Sequence, residues 1–97
     1  MNMCNFPTST ELLEIETQVD IFPNPFSEGF NVIFHQATTE KMQITLWDIY
    51  GRALLVKNIE KGTENLQIDP MNLFSGIYFL EFRDERNNSF VKKLIKS

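Results

Sequence analysis

The stretch Ile21-Phe22-Pro23-Asn24-Pro25-Phe26 determines how the rest of this sequence is interpreted. Each proline holds its own φ near about −65° and moves the preceding residue toward β or polyproline geometry. Two prolines around one asparagine therefore predict a rigid, extended lead-in segment over residues 22–26. From there, strand-like patterns continue to the last residue.

The residues beyond this segment are patterned as β-strands. Phe30, Val32 and Phe34 recur at every second position, and residues 42–47 repeat the pattern. A period of two is that of a strand with one face on a core. The predicted strands lie near residues 19–22, 29–36, 41–49, 52–60, 64–69, 76–83 and 89–96. Their number and spacing predict an all-β fold, an antiparallel immunoglobulin-like β-sandwich of about seven strands.

A tight hairpin is predicted between the third and fourth strands. Asp48 suits the first position of a type I turn. Gly51 suits the fourth, where a residue in the left-handed conformation closes a bulged hairpin. These two residues should therefore join strands 41–49 and 52–60.

A second connection has the pattern of a helix start. In Asp69-Pro70, the aspartate can cap free backbone amides and the proline suits the first helical position. Residues 70–74 are therefore predicted to form one short helical turn. Gly76 then releases the chain into a strand with apolar residues on both faces, which predicts a central position in its sheet.

The last strand, residues 90–96, has no clean apolar face. Its two sides are Phe90, Lys92, Leu94 and Lys96, and Val91, Lys93 and Ile95. One interpretation is an edge strand whose lysines discourage edge-to-edge aggregation. The other is a basic strand presented to a receptor. The two interpretations are compatible.

The short patterns, taken in order, resemble one known family. Pro23-Asn24-Pro25 is followed by Asp48-Ile49-Tyr50-Gly51, by Gly76-Ile77-Tyr78 and by the lysine-rich last strand. Together they resemble the type A C-terminal sorting domain of the type IX (Por) secretion system of Bacteroidota. The resemblance covers residues 19–97, and Phe22 stands where the family also often has tyrosine. The signature residues it implies are Pro23, Asn24, Pro25, Asp48, Gly51, Gly76 and Tyr78.

The resemblance implies a function based on recognition. Such a domain directs a fused passenger protein across the outer membrane, is recognised by the outer-membrane translocon and is then removed by a sortase. It implies transit through the periplasm and a final location at the cell surface or outside the cell. Residues 1–18 are expected to be the flexible linker in which the sortase cuts. The residues expected to contact the translocon are Lys92, Lys93, Leu94, Ile95 and Lys96.

The sequence shows no secretory signal peptide and no apolar stretch long enough to span a membrane. A domain of this family reaches the periplasm through an N-terminal signal. The chain is therefore expected to be the tail of a longer cargo protein, or a truncated reading frame, with no membrane insertion of its own.

Composition excludes several classes of function. The 97 residues carry a net charge of −4, so there is no basic field for nucleic acid. Cys4 is the only cysteine, which excludes an intrachain disulfide, and His35 is the only histidine. No metal or other cofactor is expected. The acidic residues Asp48, Asp69, Asp84 and Glu85 fall in predicted turns, where they have local roles, so an enzyme is not expected.

One alternative function remains open at this stage. Trp47 and Tyr50 could form an aromatic platform for a sugar, which would make the chain an immunoglobulin-like accessory or carbohydrate-binding module. The alternative shares the predicted fold and differs in its partner. Packing of these aromatic residues against the sheet is the competing explanation for their presence.

Overall fold

The computed structural model describes residues 19–97, which form seven antiparallel strands arranged as two sheets. The strands are β1 (Val19–Phe22), β2 (Phe30–Phe34), β3 (Met42–Trp47), β4 (Ala53–Ile59), β5 (Asn65–Ile68), β6 (Gly76–Asp84) and β7 (Ser89–Lys96). Each lies at a position predicted from the sequence. The predicted all-β sandwich is therefore confirmed. No helix in residues 19–97 has the length and apolar character needed to cross a lipid bilayer.

The two sheets have three and four strands. One has the order β1-β2-β5 and the other the order β4-β3-β6-β7. β6 lies between β3 and β7, which confirms its predicted central position. β7 lies at the edge of the larger sheet, as its lysines indicated, and pairs with β6 from Ser89 to Lys96.

The core fills the space between the sheets because alternate side chains of each strand point inward. In β2 the buried residues are Phe30, Val32 and Phe34, and in β6 they are Tyr78, Leu80 and Phe82. The aromatic rings are in direct contact: Phe82 stacks on Phe90 at 4.7 Å between ring centroids. The other fully or nearly buried apolar residues are Val19, Phe26, Met42, Ile44, Leu46, Ile59, Ile68 and Leu94.

The hairpin between β3 and β4 has the predicted turn. The Gly51 N–H donates to the Asp48 carbonyl at 3.2 Å, and the Asp48 N–H donates to the Arg52 carbonyl at 3.0 Å. Gly51 has a φ of 82°, in the left-handed region. The strand register shifts between Leu46 and Trp47, so the bulge lies within the hairpin as expected.

The predicted helical turn over residues 70–74 is wrong. This connection contains bends but no helix, and Asn72 has a φ of 61°, which interrupts a right-handed helix. The Asp69 carboxylate accepts hydrogen bonds from the Gln67 side chain. Leu73 packs against the core. A long-range packing contact therefore determines this backbone in place of the local helix-start pattern.

Substitution of Gly51 tests the hairpin geometry. No atom lies within 4 Å of the position a Cβ would take, so the cost of a side chain comes from the backbone conformation alone. We expect Gly51→Val to lower the free energy of unfolding by about 1–2 kcal/mol in thermal or urea denaturation. Gly51→Asn is the matched control, since asparagine tolerates this conformation, and it should lose less. Equal stability of the valine variant and the parent would contradict the turn assignment.

Candidate functional site

The lead-in segment, residues 22–26, lies against the outer edge of β7. It is not extended as predicted, because the chain bends at residues 23–25. The Phe26 N–H donates to the Ile95 carbonyl, and the Ser97 N–H donates to the Phe26 carbonyl, both at 2.9 Å. These bonds form a short parallel bridge between Phe26 and Lys96. The segment therefore adds a further paired residue to the edge that β7 would otherwise present to solvent.

Asn24 extends this contact along the edge of β7 toward Lys93. Its Nδ2 donates to the Lys93 carbonyl at 3.2 Å, and its Oδ1 accepts from the Ile95 N–H at 3.0 Å. One primary amide thus supplies the donor and the acceptor that a neighbouring strand would supply. The Pro-Asn-Pro signature and the last strand, about 70 residues apart in sequence, therefore form one surface.

Phe26 anchors the segment from the other side. Its side chain is buried and contacts Phe30 edge-to-face, with ring centroids 5.0 Å apart. The side chain is thus held in the core while its backbone is bonded to β7. Because both ends of the contact are held, the Asn24 amide faces the strand edge in a defined position.

The two sides of β7 differ in exposure. Phe90 and Leu94 are buried, with Leu94 fully inaccessible to solvent. Lys92 and Lys96 lie on that same inward side and are half-buried. Lys93 is exposed on the outward side. Val91 and Ile95, also on the outward side, are exposed large apolar residues.

The other residues predicted to be family signatures lie at the same end of the sandwich. β3 and β7 finish there, and β4 and β6 begin there, because Trp47 pairs with Phe79 and Lys96 pairs with Gly76. We call this end the distal end and define it by the connections 23–29, 48–52 and 69–75. The distal end contains Pro23, Asn24, Pro25, Asp48 and Gly51, with Gly76 and Tyr78 at the start of β6. The structure thus brings these sequence-predicted residues to one end of the fold.

Asp48 organises the turn at the distal end. Its buried carboxylate accepts hydrogen bonds from the backbone N–H groups of Tyr50 and Arg52, both at 2.9 Å, and from Arg52 Nε at 2.8 Å. The Arg52 backbone N–H, together with the Arg52 side chain, lowers the pKa of Asp48 below its ordinary value. The ionised form is therefore the one that holds the turn.

Trp47 and Tyr50 occupy different environments. Trp47 is half-buried, and its Nε1 donates to Glu81 Oε1 at 2.9 Å. Arg83, with a smaller contribution from Trp47, lowers the pKa of Glu81. Tyr50 is exposed in the turn, with the Arg52 guanidinium 5.8 Å from its ring centre. The indole N–H of Trp47 is thus already bonded within the protein.

Two contributions to this end of the fold were missed from the sequence. The pairing of Phe26 with Lys96 joins residues too distant in sequence for any periodic pattern to reveal. Met71 and Phe74 were assigned to a helical turn, yet both are exposed at the distal end. The signal that could have indicated them is the presence of three large apolar residues, Met71, Leu73 and Phe74, in one short connection, of which only Leu73 packs against the core.

Residues 19–97 contain no cluster of three or more His, Cys, Asp or Glu side chains placed to hold a metal ion. Among these residues, His35 pairs with Asp20, and both are exposed.

By its fold, the chain is an immunoglobulin-like β-sandwich domain of two antiparallel sheets. It belongs to the family of secretion system C-terminal sorting domains, whose model matches residues 20–97. This confirms the resemblance to the type IX sorting domains. The family is a sorting signal without catalytic activity, so the expectation that the domain is not an enzyme is also confirmed.

A curated relative carries a similar stretch. The chain is 28% identical over 82 residues to an endo-acting ulvan lyase from Formosa agariphila. The match covers 84% of this chain and 15% of the lyase. The similar region is therefore a small part of a much longer protein.

Replacing Asn24 tests the contact with β7. Asn24→Ala removes two hydrogen bonds, and we expect it to lower the free energy of unfolding by about 1–2 kcal/mol. Amide exchange at Ile95 should become faster, because its N–H loses its acceptor. Asn24→Asp keeps an acceptor but places a carboxylate against the Lys93 carbonyl, so it should not restore stability. Asn58→Ala in β4 is the control and should change stability by less than about 0.5 kcal/mol. Unchanged exchange at Ile95 in Asn24→Ala would exclude the contact in solution.

The Asp48 carboxylate should make stability depend on pH. Its pKa is lowered in the folded state, so its contribution is present above the unfolded pKa of about 3.9 and is lost as pH falls through the folded value. We expect Asp48→Asn to have a lower Tm than the parent at neutral pH. The difference should shrink as the pH is lowered below about 4. Thermal melts across this range would contradict the prediction if the difference stayed constant.

Proposed function

We propose that residues 19–97 act as a folded address for an exported passenger protein. The outer-membrane translocon of the type IX system recognises the domain after transit through the periplasm. A sortase then cuts in the linker, residues 1–18, and the passenger is released or attached at the cell surface. The observation that carries this proposal is the bonding of Asn24 and Phe26 to β7. It joins the Pro-Asn-Pro segment and the lysine-rich last strand, both of which the resemblance singled out, into one surface.

The curated relative supports a large passenger. Only 15% of the ulvan lyase corresponds to this chain, so most of that protein lies outside the match. We propose the same arrangement here, with the sorting domain as a small module on a longer cargo protein.

The translocon would recognise a folded edge and not an extended peptide. Of the five predicted contact residues, Leu94 is in the core and holds the strand in place. Lys93 and Ile95 are exposed beside Asn24, and Lys92 and Lys96 are half-buried. A surface ordered in advance loses less entropy on docking than a flexible peptide does. The proposal therefore assigns direct contact to Lys93 and Ile95 together with the lead-in segment.

Charge reversal at Lys93 tests this assignment. A reporter with a signal peptide, fused ahead of residues 1–97, should be exported by a host with a type IX system. We expect Lys93→Glu to lower export at least about tenfold, because a like-charge contact would replace an attractive one. Lys57→Glu is the matched control, since Lys57 is exposed in β4 at the opposite edge of the same sheet. Equal export of the two variants would contradict a recognition role for Lys93.

Removal of the last strand is the coarser test. Deleting residues 90–97 removes Phe90 and Leu94 from the core together with the strand edge. The reporter should then accumulate in the periplasm. Continued export after this deletion would contradict the proposed function as a whole, because neither the fold nor the edge would remain.

A further inference from the structure

The lead-in segment covers only part of the edge of β7. Its bonds reach the Lys93 carbonyl, both backbone groups of Ile95 and the Ser97 N–H. Alternate residues of a strand direct their backbone groups to the same side, so the Lys93 N–H and both groups of Val91 point to this edge too. In the described part of the chain, only β6 pairs with β7, on the other side, and no hydrogen bond reaches these three groups. We call residues 89–93 the open edge.

The chemistry of the lead-in segment explains why its contact with β7 ends at Lys93. Pro23 and Pro25 have no backbone N–H, so the Asn24 side chain makes the last bonds on this side. Before Pro23 the chain belongs to β1, which pairs with β2 in the smaller sheet. The lead-in segment therefore begins a strand pairing along β7 and leaves the rest of that edge unpaired.

The open edge is nevertheless held in strand geometry. Phe90 is buried within it, and Leu94 is buried directly after it. Residues 89–93 are also paired with β6 along their whole length. Backbone groups that are already aligned lose little entropy when a further strand pairs with them. Addition of an extended segment to such an edge is a common mode of peptide recognition, in which main-chain bonds supply affinity and neighbouring side chains supply specificity.

The side chains of the open edge define what the added segment would carry. Phe90 and Lys92 lie on the inward side of β7, and Val91 and Lys93 lie on the outward side. An added strand would place its own side chains about 4.5–5.5 Å from these four, measured between Cβ atoms. Apolar residues suit the positions beside Phe90 and Val91, whereas a carboxylate suits the position beside each lysine.

The charges on β7 and β6 favour an acidic segment. β7 contains three lysines and no carboxylate, and the lead-in segment is uncharged. Glu81 of β6 lies opposite Val91, but it already accepts hydrogen bonds from Trp47 and Arg83. The lysines beside the open edge are therefore not neutralised by the strand that pairs with β7.

The carboxylates of the other neighbouring elements are also engaged or balanced. Asp84, at the end of β6, accepts hydrogen bonds from the backbone of the connection 85–88. Asp20 of β1 pairs with His35. The remaining charged residues of the adjoining segments are Glu28, which follows the lead-in segment at the distal end, and Glu85 and Arg86, which stand side by side in the connection 85–88. The open edge as a whole is thus basic.

A second copy of the domain does not fit the open edge. Two such edges side by side would bring Lys92 and Lys93 of one chain against the same lysines of the other. Like charges on paired strands are destabilising, and edge lysines are a known protection against this kind of pairing. The same charges that reject a basic strand favour an acidic one.

We propose that the open edge accepts an extended acidic segment of an outer-membrane protein of the type IX machinery as an added β-strand. The inference rests on the proposed function and specifies how the β7 edge is recognised. The segment presents apolar side chains to Phe90 and Val91 and carboxylates to Lys92 and Lys93. It continues along β7 the pairing that the lead-in segment begins at the other half of the edge.

Proline at position 91 tests strand addition. The Val91 N–H has no partner within the domain, so Val91→Pro removes no bond of the fold, whereas an added strand loses a bond and meets the ring. In the reporter fused ahead of residues 1–97, we expect export to fall about tenfold, because an acceptor of the added strand is left unpaired. Val91→Thr keeps the N–H and is the matched control, and its export should equal that of the parent. The Tm of each purified variant, measured in parallel, separates a binding defect from unfolding.

A photo-crosslinking amino acid at position 91 identifies the added strand, and this measurement decides the matter if Val91→Pro does not fold. During export it should form an adduct with an outer-membrane subunit, within a segment that mass spectrometry shows to contain both acidic and apolar residues. The same probe at Val56, exposed on β4 at the opposite edge of the sheet, should form no such adduct. An adduct with a second copy, with residues 1–18 of the same chain or with a segment that lacks acidic residues would overturn the inference, as would the absence of any adduct.

The outcomes separate the two proposals. If the parent fusion is exported and a folded Val91→Pro variant is exported equally well, strand addition is excluded while the sorting function stands. If the parent fusion is not exported, the proposed function fails and the inference fails with it.

Discussion

The bonding of the lead-in segment to the edge of β7 is the constraint on which the distal end depends. An edge strand exposes unpaired backbone groups, and β7 is the edge of the larger sheet. Asn24 and Phe26 satisfy these groups from Lys93 to Ser97. Because Phe26 is also buried, the same segment ties the edge of one sheet to the core shared by both.

This arrangement makes the end of the chain part of the folded body. Leu94 and Phe90 contribute to the core, and every residue of β7 from Ser89 to Lys96 is paired with β6. The strand cannot present itself as an extended peptide without exposing those two side chains, which costs about 1.5–3 kcal/mol each. The proposed recognition is consequently one of the folded form and not of a strand separated from its sheet.

Much of the fold follows from local pattern. Alternation predicted β2 and β3, and two apolar faces predicted the central place of β6, because both patterns depend on the burial of nearby residues along one strand. The Asp48 and Gly51 turn was also predictable, since its hydrogen bonds join residues within the turn. The backbone of residues 70–74 was not, because packing of the partly buried Leu73 against the core outweighs the helix-start pattern of Asp69-Pro70. The Asn24 contact was likewise hidden, because a polar side chain bonded to a distant backbone leaves no periodic signal.

The lysines of β7 are compatible with both roles considered for this strand, which are protection of the sheet edge and the proposed recognition by a receptor. Lys92 and Lys96 share the inward side with Leu94, where long methylene chains can cover apolar surface while the ammonium groups reach water. Lys93 lies outward at the edge, where a charge discourages pairing with another strand. The same exposed charge is available to a partner with a complementary surface. Protection of the edge against aggregation and the proposed recognition by a receptor would therefore use the same residue in the same position, so the two roles do not oppose each other.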